Sequence, residues 1–155
     1  MLLYLVRHGE AMNELADPSQ ALSPQGLCNV QKVASHIAGL NLQVDLIFHS
    51  PKLRAKQTAV VLADFLKPSQ GVFERDHLGP LDDPSEWVRR LMDRNENIML
   101  VGHLPYMEKL FSLLVCGFID DHVVRFKNAT IVCLNREQTG TWVLQWMLGP
   151  EAIGL

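Results

Sequence analysis

The sequence predicts a three-layer α/β/α sandwich around a mainly parallel sheet, and three features of the chain carry that prediction. Short, largely apolar runs at 2–6, 44–48 and 98–101, broken only by Asp45, read as buried strands, the first of them buried on both faces. Each is followed by a longer stretch of helical character, so strands and helices alternate. Near the end, strand-like runs at 130–134 and 141–146 meet at Gln138-Thr139-Gly140, which predicts a hairpin adding antiparallel strands at one edge.

Taken in order, the first strand is the run ahead of Arg7. Ser23-Pro24 then supplies an N-cap and a first-turn proline, and Leu27, Val30, Val33, Ala34, Ile37 and Ala38 follow at helical spacing, with Gly39 near the stop. After the second strand, Ser50-Pro51 repeats that signature and predicts a helix to about residue 66. Lys67 to Gly71 is a turn, and 72–74 is a short edge strand. The breakers in Leu78-Gly79-Pro80-Leu81-Asp82-Asp83-Pro84 make a loop, which leads into a helix over 85–94. The third buried strand is followed by a helix over 105–116, closed by Gly117.

Composition bounds what such a chain can be. Its 155 residues suit one domain, 1–155, large enough to bury a core without disulfides or metal. An apolar content of 48% with 20% charged residues excludes a disordered or fibrous chain. The net charge of −3 supplies no basic field for nucleic acid. No apolar stretch approaches the roughly 18 residues of a membrane span, and the apolar run at 1–6 is too short for a signal segment. Cys28, Cys116 and Cys133 form no CxxC pair, so they are expected to be buried free thiols in a reducing compartment, and a cytoplasmic location is expected.

The chemistry gathers where the three strands end. Arg7-His8-Gly9 follows the first, His49-Ser50-Pro51-Lys52-Leu53-Arg54 the second, and Gly102-His103 the third. In an open α/β sheet, ligands bind beyond the carboxyl ends of the strands, so these residues are expected on one rim. A lone strand-end histidine is more often structural, and an arginine in a first helical turn is usually solvated. Two arginines and two histidines at three equivalent places, beside a helix N-terminus, instead suit a phosphate-like anion. His36, His77 and His122 have no metal-ligand spacing with another His or Cys and read as surface residues. Trp87, Trp142 and Trp146 read as packing.

Arg7-His8-Gly9-Glu10, the segment Ser50-Pro51-x-x-Arg54-Ala55-x-Gln57-Thr58 and Gly102-His103 together resemble the histidine phosphatase superfamily, whose fold is named after phosphoglycerate mutase. Leu22-Ser23-Pro24-Gln25-Gly26 resembles the family's approach to its first helix. The short spacing between Arg54 and His103, His103-Leu104-Pro105, and the tryptophans ahead of Gly149-Pro150 are similar to the small phosphohistidine phosphatases of the SixA type, which lack a helical cap insertion.

The resemblance implies that His8 is the nucleophile, that Arg7, Arg54 and His103 hold the phosphoryl oxygens, and that phosphate or vanadate occupies the site. It implies a hydrolase that removes phosphate from a phosphohistidine on a partner signalling or phosphotransfer protein. The arginine pair and the lack of clustered carboxylates predict that no metal or cofactor is needed, and a monomer is expected. Gly9 would let the backbone fold close behind the His8 ring. Ser50 either contacts the phosphoryl group or caps its helix. Asp82 and Asp83 are candidates for a general acid, against a plainer reading as a solvated turn. Two other functions stay open at this point: a phosphatase for a small phosphomonoester, and a catalytically silent module that binds phosphorylated ligands.

Overall fold

The computed structural model describes residues 1–154. In chain order the elements are β1 (Leu2–Arg7), α1 (Pro24–Ala38), β2 (Leu46–His49), α2 (Leu53–Leu66), β3 (Val72–Glu74), α3 (Ser85–Met92), β4 (Ile98–Gly102), α4 (Tyr106–Cys116), β5 (Ile131–Arg136) and β6 (Trp142–Leu148). One six-stranded sheet runs in the order β3-β2-β4-β1-β5-β6. The first four of these strands are mutually parallel, whereas β5 lies antiparallel to β1 and β6 antiparallel to β5.

The apolar runs are continuous because both sheet faces are covered. Side chains alternate along a strand, so Leu3 and Leu5 join Phe48 and Leu100 beneath Trp87, Tyr106 and Leu110 of α3 and α4. Tyr4 and Val6 point the other way, to Ile47, Met99 and Val101, and meet Val30, Val33 and Ile37 of α1 with Ala55, Ala59 and Leu62 of α2. Burying two faces gives the α/β/α sandwich, and the hairpin of β5 and β6 extends it antiparallel at one edge.

Ser23 caps α1 as its sequence implies. The hydroxyl accepts from the Gly26 N–H at 2.9 Å and donates to Glu10 Oε1 at 2.8 Å, tying the helix start to the loop after β1. At α2 the structure departs from the expectation: the helix begins at Leu53, its N-cap is Lys52, and no side chain caps it. The Ser50 hydroxyl is engaged elsewhere. The cysteine expectation is corrected as well: all three are free, but only Cys133 is buried. Cys28 lies on the outer face of α1 and Cys116 on its helix's last turn, so an apolar neighbourhood in sequence did not mean burial. No helix among the described residues is long and apolar enough to cross a membrane.

Candidate active site

Register alone brings the two rim histidines together. β1 and β4 pair in parallel with Arg7 opposite Gly102, so His8 and His103 leave their strands side by side. The His8 N–H donates to the Gly102 carbonyl at 3.0 Å, and the two rings sit with centroids 5.0 Å apart, tilted by 55°. On the other flank of β4, His49 pairs with Val101, which puts Ser50 next to the same strand end.

His8 Nδ1 lies 2.7 Å from the Gly9 carbonyl. A carbonyl only accepts, so the network assigns the proton to Nδ1 and leaves the Nε2 lone pair free. Burial is the main influence lowering the ring's pKa, to about 4; the Gly9 carbonyl works against it, and Arg54 and Arg7 add to it. His8 is therefore neutral near pH 7. Gly9 permits this arrangement: a Cβ there would stand 2.6 Å from Val30 Cγ2, inside van der Waals contact with α1.

His103 is buried, and its Nε2 meets Ser50 Oγ at 2.6 Å. Ser50 Oγ also accepts from the Lys52 N–H at 3.2 Å, and its hydroxyl can donate to Nε2 or accept from it according to the ring's tautomer. With the hydroxyl donating, the ring proton sits on Nδ1, which is buried and has no hydrogen-bond partner among the described residues. Burial above all, then the charges of His8, Arg54, Lys52 and Arg7, push His103 down to about 3. It is a neutral ring with Nδ1 left unpartnered.

The arginines complete the rim. Arg7 donates from Nη1 to the Phe126 carbonyl at 2.9 Å, while its Nε is buried without a partner. Arg54 stands in the first turn of α2. Thr58, one turn on, donates its hydroxyl to the Arg54 carbonyl at 2.8 Å and accepts from the Gly9 N–H at 3.0 Å. It thereby ties the loop behind His8 to the helix that carries Arg54. Burial draws both guanidiniums below their usual pKa, and no carboxylate among the described residues forms an ion pair with either. Desolvated cations without carboxylates, beside unused donors, make a site for an anion.

Of the candidate acids, Asp82 but not Asp83 lines an open cavity of about 440 Å³, together with Ser50, Lys52, Asp76, His77 and Gly79. Asp82 Oδ2 accepts from the Gly79 N–H at 2.7 Å and closes the loop. Asp83 is exposed and turned to the start of α3, where the Ser85 N–H and hydroxyl hold its carboxyl below the usual range. A larger groove, near 520 Å³, lies at the opposite end of the sheet around Leu91, Leu114 and Trp142, remote from the histidines. His36, His77 and His122 are exposed. Trp87 and Trp142 are core, and Trp146 is half-buried against Tyr4.

A family model described as "Histidine phosphatase superfamily (branch 1)" matches residues 3–78. The chain belongs to the histidine phosphatase superfamily. The matched segment of this histidine phosphatase contains Arg7, His8, Ser50, Arg54 and Thr58; β4 brings in His103 from beyond it. Phosphohistidine phosphatase SixA of Escherichia coli K12 is 23% identical over 97% of this chain and 94% of its own length. An uncharacterized protein of Picosynechococcus sp. is 32% identical over 86% of this chain and 84% of its own. Among solved structures, SixA complexed with tungstate superposes with a TM-score of 0.84 at 23% identity, covering 97% of both chains.

Three features of this site escaped the sequence reading. Ser50 serves His103 rather than a helix cap, Thr58 couples Gly9 to Arg54, and the Phe126 carbonyl holds Arg7. Only Thr58 had a signal, its place in the Arg54-Ala55-x-Gln57-Thr58 run.

Proposed function

We propose that this protein is a phosphohistidine phosphatase in which His8 takes the phosphoryl group. The observation that carries the reading is the state of His8: neutral, held at Nδ1 by Gly9, under the charge of Arg54 and Arg7 and with the His103 ring beside it. Such a ring is a positioned nucleophile in a site made for an anion.

In the first step Nε2 of His8 attacks phosphorus, the P–Nε2 bond forms, and the P–N bond of the substrate breaks. The departing imidazole, protonated on its other nitrogen, leaves as a neutral ring. In the second step water attacks phosphorus, the P–Nε2 bond breaks, and the water's proton balances the released phosphate. Arg7, Arg54 and His103 Nδ1 hold the equatorial oxygens through both steps, as phosphoryl transfer requires. Two guanidiniums supply the charge that a metal would otherwise bring, so the reaction is proposed to be metal-independent, and no cofactor is called for. A phosphohistidine leaving group needs little acid assistance; where a carboxyl is needed, Asp82 is nearer the cavity beside Ser50 than Asp83.

The substrate class follows from shape. Between α2 and β4 the chain places only β3, a loop and α3, so residues 1–155 are proposed to be one domain without a helical cap over the rim. An uncapped rim suits a phosphorylated side chain on another folded protein in signalling or phosphotransfer. Free thiols fit the cytoplasm, and the enzyme is proposed to act as a monomer.

The test is labelling with a radioactive phosphodonor, quenched in alkaline detergent. Wild type is expected to form an acid-labile, base-stable adduct that is absent in His8→Ala, and to turn over a phosphohistidine protein faster than sugar or glycerate phosphates. A preference for the small esters would make this a phosphomonoesterase. Anion binding without adduct or turnover would make it a silent binding module.

A further inference from the structure

One buried carboxylate stands close behind the site and has no part in the chemistry above. Glu108 lies in the first turn of α4, directly after the His103 loop, and only 4% of its surface is exposed. Burying a carboxylate is costly unless hydrogen bonds compensate it. Its Oε2 accepts from the backbone N–H of Phe126 at 2.9 Å in a buried contact. Its other oxygen is 3.8 Å from Nη1 of Arg125, a side chain that is otherwise largely in solvent.

The same residue, Phe126, is what holds Arg7, through the peptide group on its other side. Its carbonyl accepts from Arg7 Nη1 at 2.9 Å, so Phe126 is fastened on the N–H side by Glu108 and on the C=O side by the arginine. Phe126 itself is a buried core residue in a segment without regular structure, between α4 and β5. Among the described residues, the only side chain reaching its N–H is Glu108. We infer that Glu108 is a positioning residue, which through Phe126 fixes the Arg7 guanidinium so that its unpartnered Nε faces the phosphoryl group. The inference rests on the reading of Arg7 as a phosphoryl ligand. The Glu108 charge also favours the cationic form of Arg7, opposing the effect of burial.

The chemistry of the carboxyl sets the test, because glutamine keeps the acceptor oxygen and alanine removes it. Inorganic vanadate binding, measured by calorimetry, needs no turnover and so separates this inference from the proposed reaction. Glu108→Gln is expected to retain affinity within about three-fold, and Glu108→Ala to lose about ten-fold or more, on the scale of supporting contacts around a site. In an Arg7→Ala background, removing Glu108 is expected to cost nothing further. Should Glu108→Ala not fold, Glu108→Asp serves, since one methylene fewer withdraws the carboxylate from the Phe126 N–H. Wild-type affinity in the alanine or aspartate variant, or losses that multiply in the double variant with Arg7→Ala, would overturn the inference. If vanadate binding shows this coupling but wild type forms no phosphoenzyme, the proposed reaction fails and the role of Glu108 stands.

Discussion

Replacing Ser50 by alanine tests how the site holds its second histidine. Ser50 is fully buried, and its hydroxyl joins the Lys52 N–H to His103 Nε2. Alanine leaves the buried Nε2 without its donor, a change that costs ~1–3 kcal/mol of stability. It also frees the ring to carry its proton on Nε2, which turns the Nδ1 donor into a lone pair facing the anion. Complete loss of such a donor is worth ~2.7–4 kcal/mol of barrier. Because the ring still populates the productive tautomer, the expected loss is nearer ~1.4 kcal/mol, or about ten-fold in kcat/KM. The assay is steady-state hydrolysis of a phosphohistidine protein, with urea midpoints measured in parallel. The decisive comparison is a cycle with His103→Ala: if Ser50 acts through His103, its removal costs nothing in that background. An undiminished ten-fold loss in His103→Ala would show that Ser50 contacts the phosphoryl group itself and would refute the reasoning.

Arg54→Lys keeps a charge but loses the planar fork, and we predict a fall in kcat/KM of roughly 100-fold, on the scale of one lost donor; activity near wild type would mean that a point charge suffices. His8 and His103 are both depressed below the ordinary histidine value of about 6.5. As pH falls from there towards about 4, the unfolded chain binds protons that the folded site refuses, so stability is present above the window and lost within it. Urea midpoints are expected to drop between about pH 7 and about pH 5, and by less in His8→Asn. Saturating vanadate at about 100 times its dissociation constant should stabilise the fold by ~2.7 kcal/mol, seen as a rise in Tm that Arg54→Ala abolishes. Gly26→Ala drives a Cβ into the Glu10 carbonyl, so the loop after β1 must move; a loss of ~1–3 kcal/mol in urea unfolding is expected, together with lower activity.

The parts of the molecule governed by local rules were legible in the sequence. Strands buried on both faces are continuous apolar runs, and α1 begins where Ser23-Pro24 says it should, because the serine has no competing partner other than Glu10, which accepts rather than donates. Ser50-Pro51 carries the same two residues and misleads: a tertiary partner, His103, arriving 53 positions later, outbids a cap. The meeting of His8 with His103 was readable only as an expectation about strand ends; the register of Arg7 with Gly102 makes it specific. Phe126 and Glu108 lay beyond reach for a different reason. A backbone carbonyl has no signature in sequence, and a glutamate in the first turn of a helix reads as an exposed, dipole-favoured residue until the fold buries it.

The site's electrostatics explain why its components oppose folding individually and still belong together. Two partly buried guanidiniums without ion pairs, an unpartnered Arg7 Nε and an unpartnered His103 Nδ1 each cost stability in the free protein. In the proposed site a single tetrahedral anion would relieve them together, whereas a neutral ligand cannot match the guanidiniums' charge. The field also has a second use. While the site is free, burial and the arginines keep His8 unprotonated, which preserves the lone pair that attack requires. In the proposed reaction, a phosphoryl group on Nε2 brings negative charge to the same arginines, so the arrangement that disfavours a protonated His8 would favour a phosphorylated one. A proton and a phosphoryl group compete for one nitrogen, and the sign of the surrounding charge decides between them.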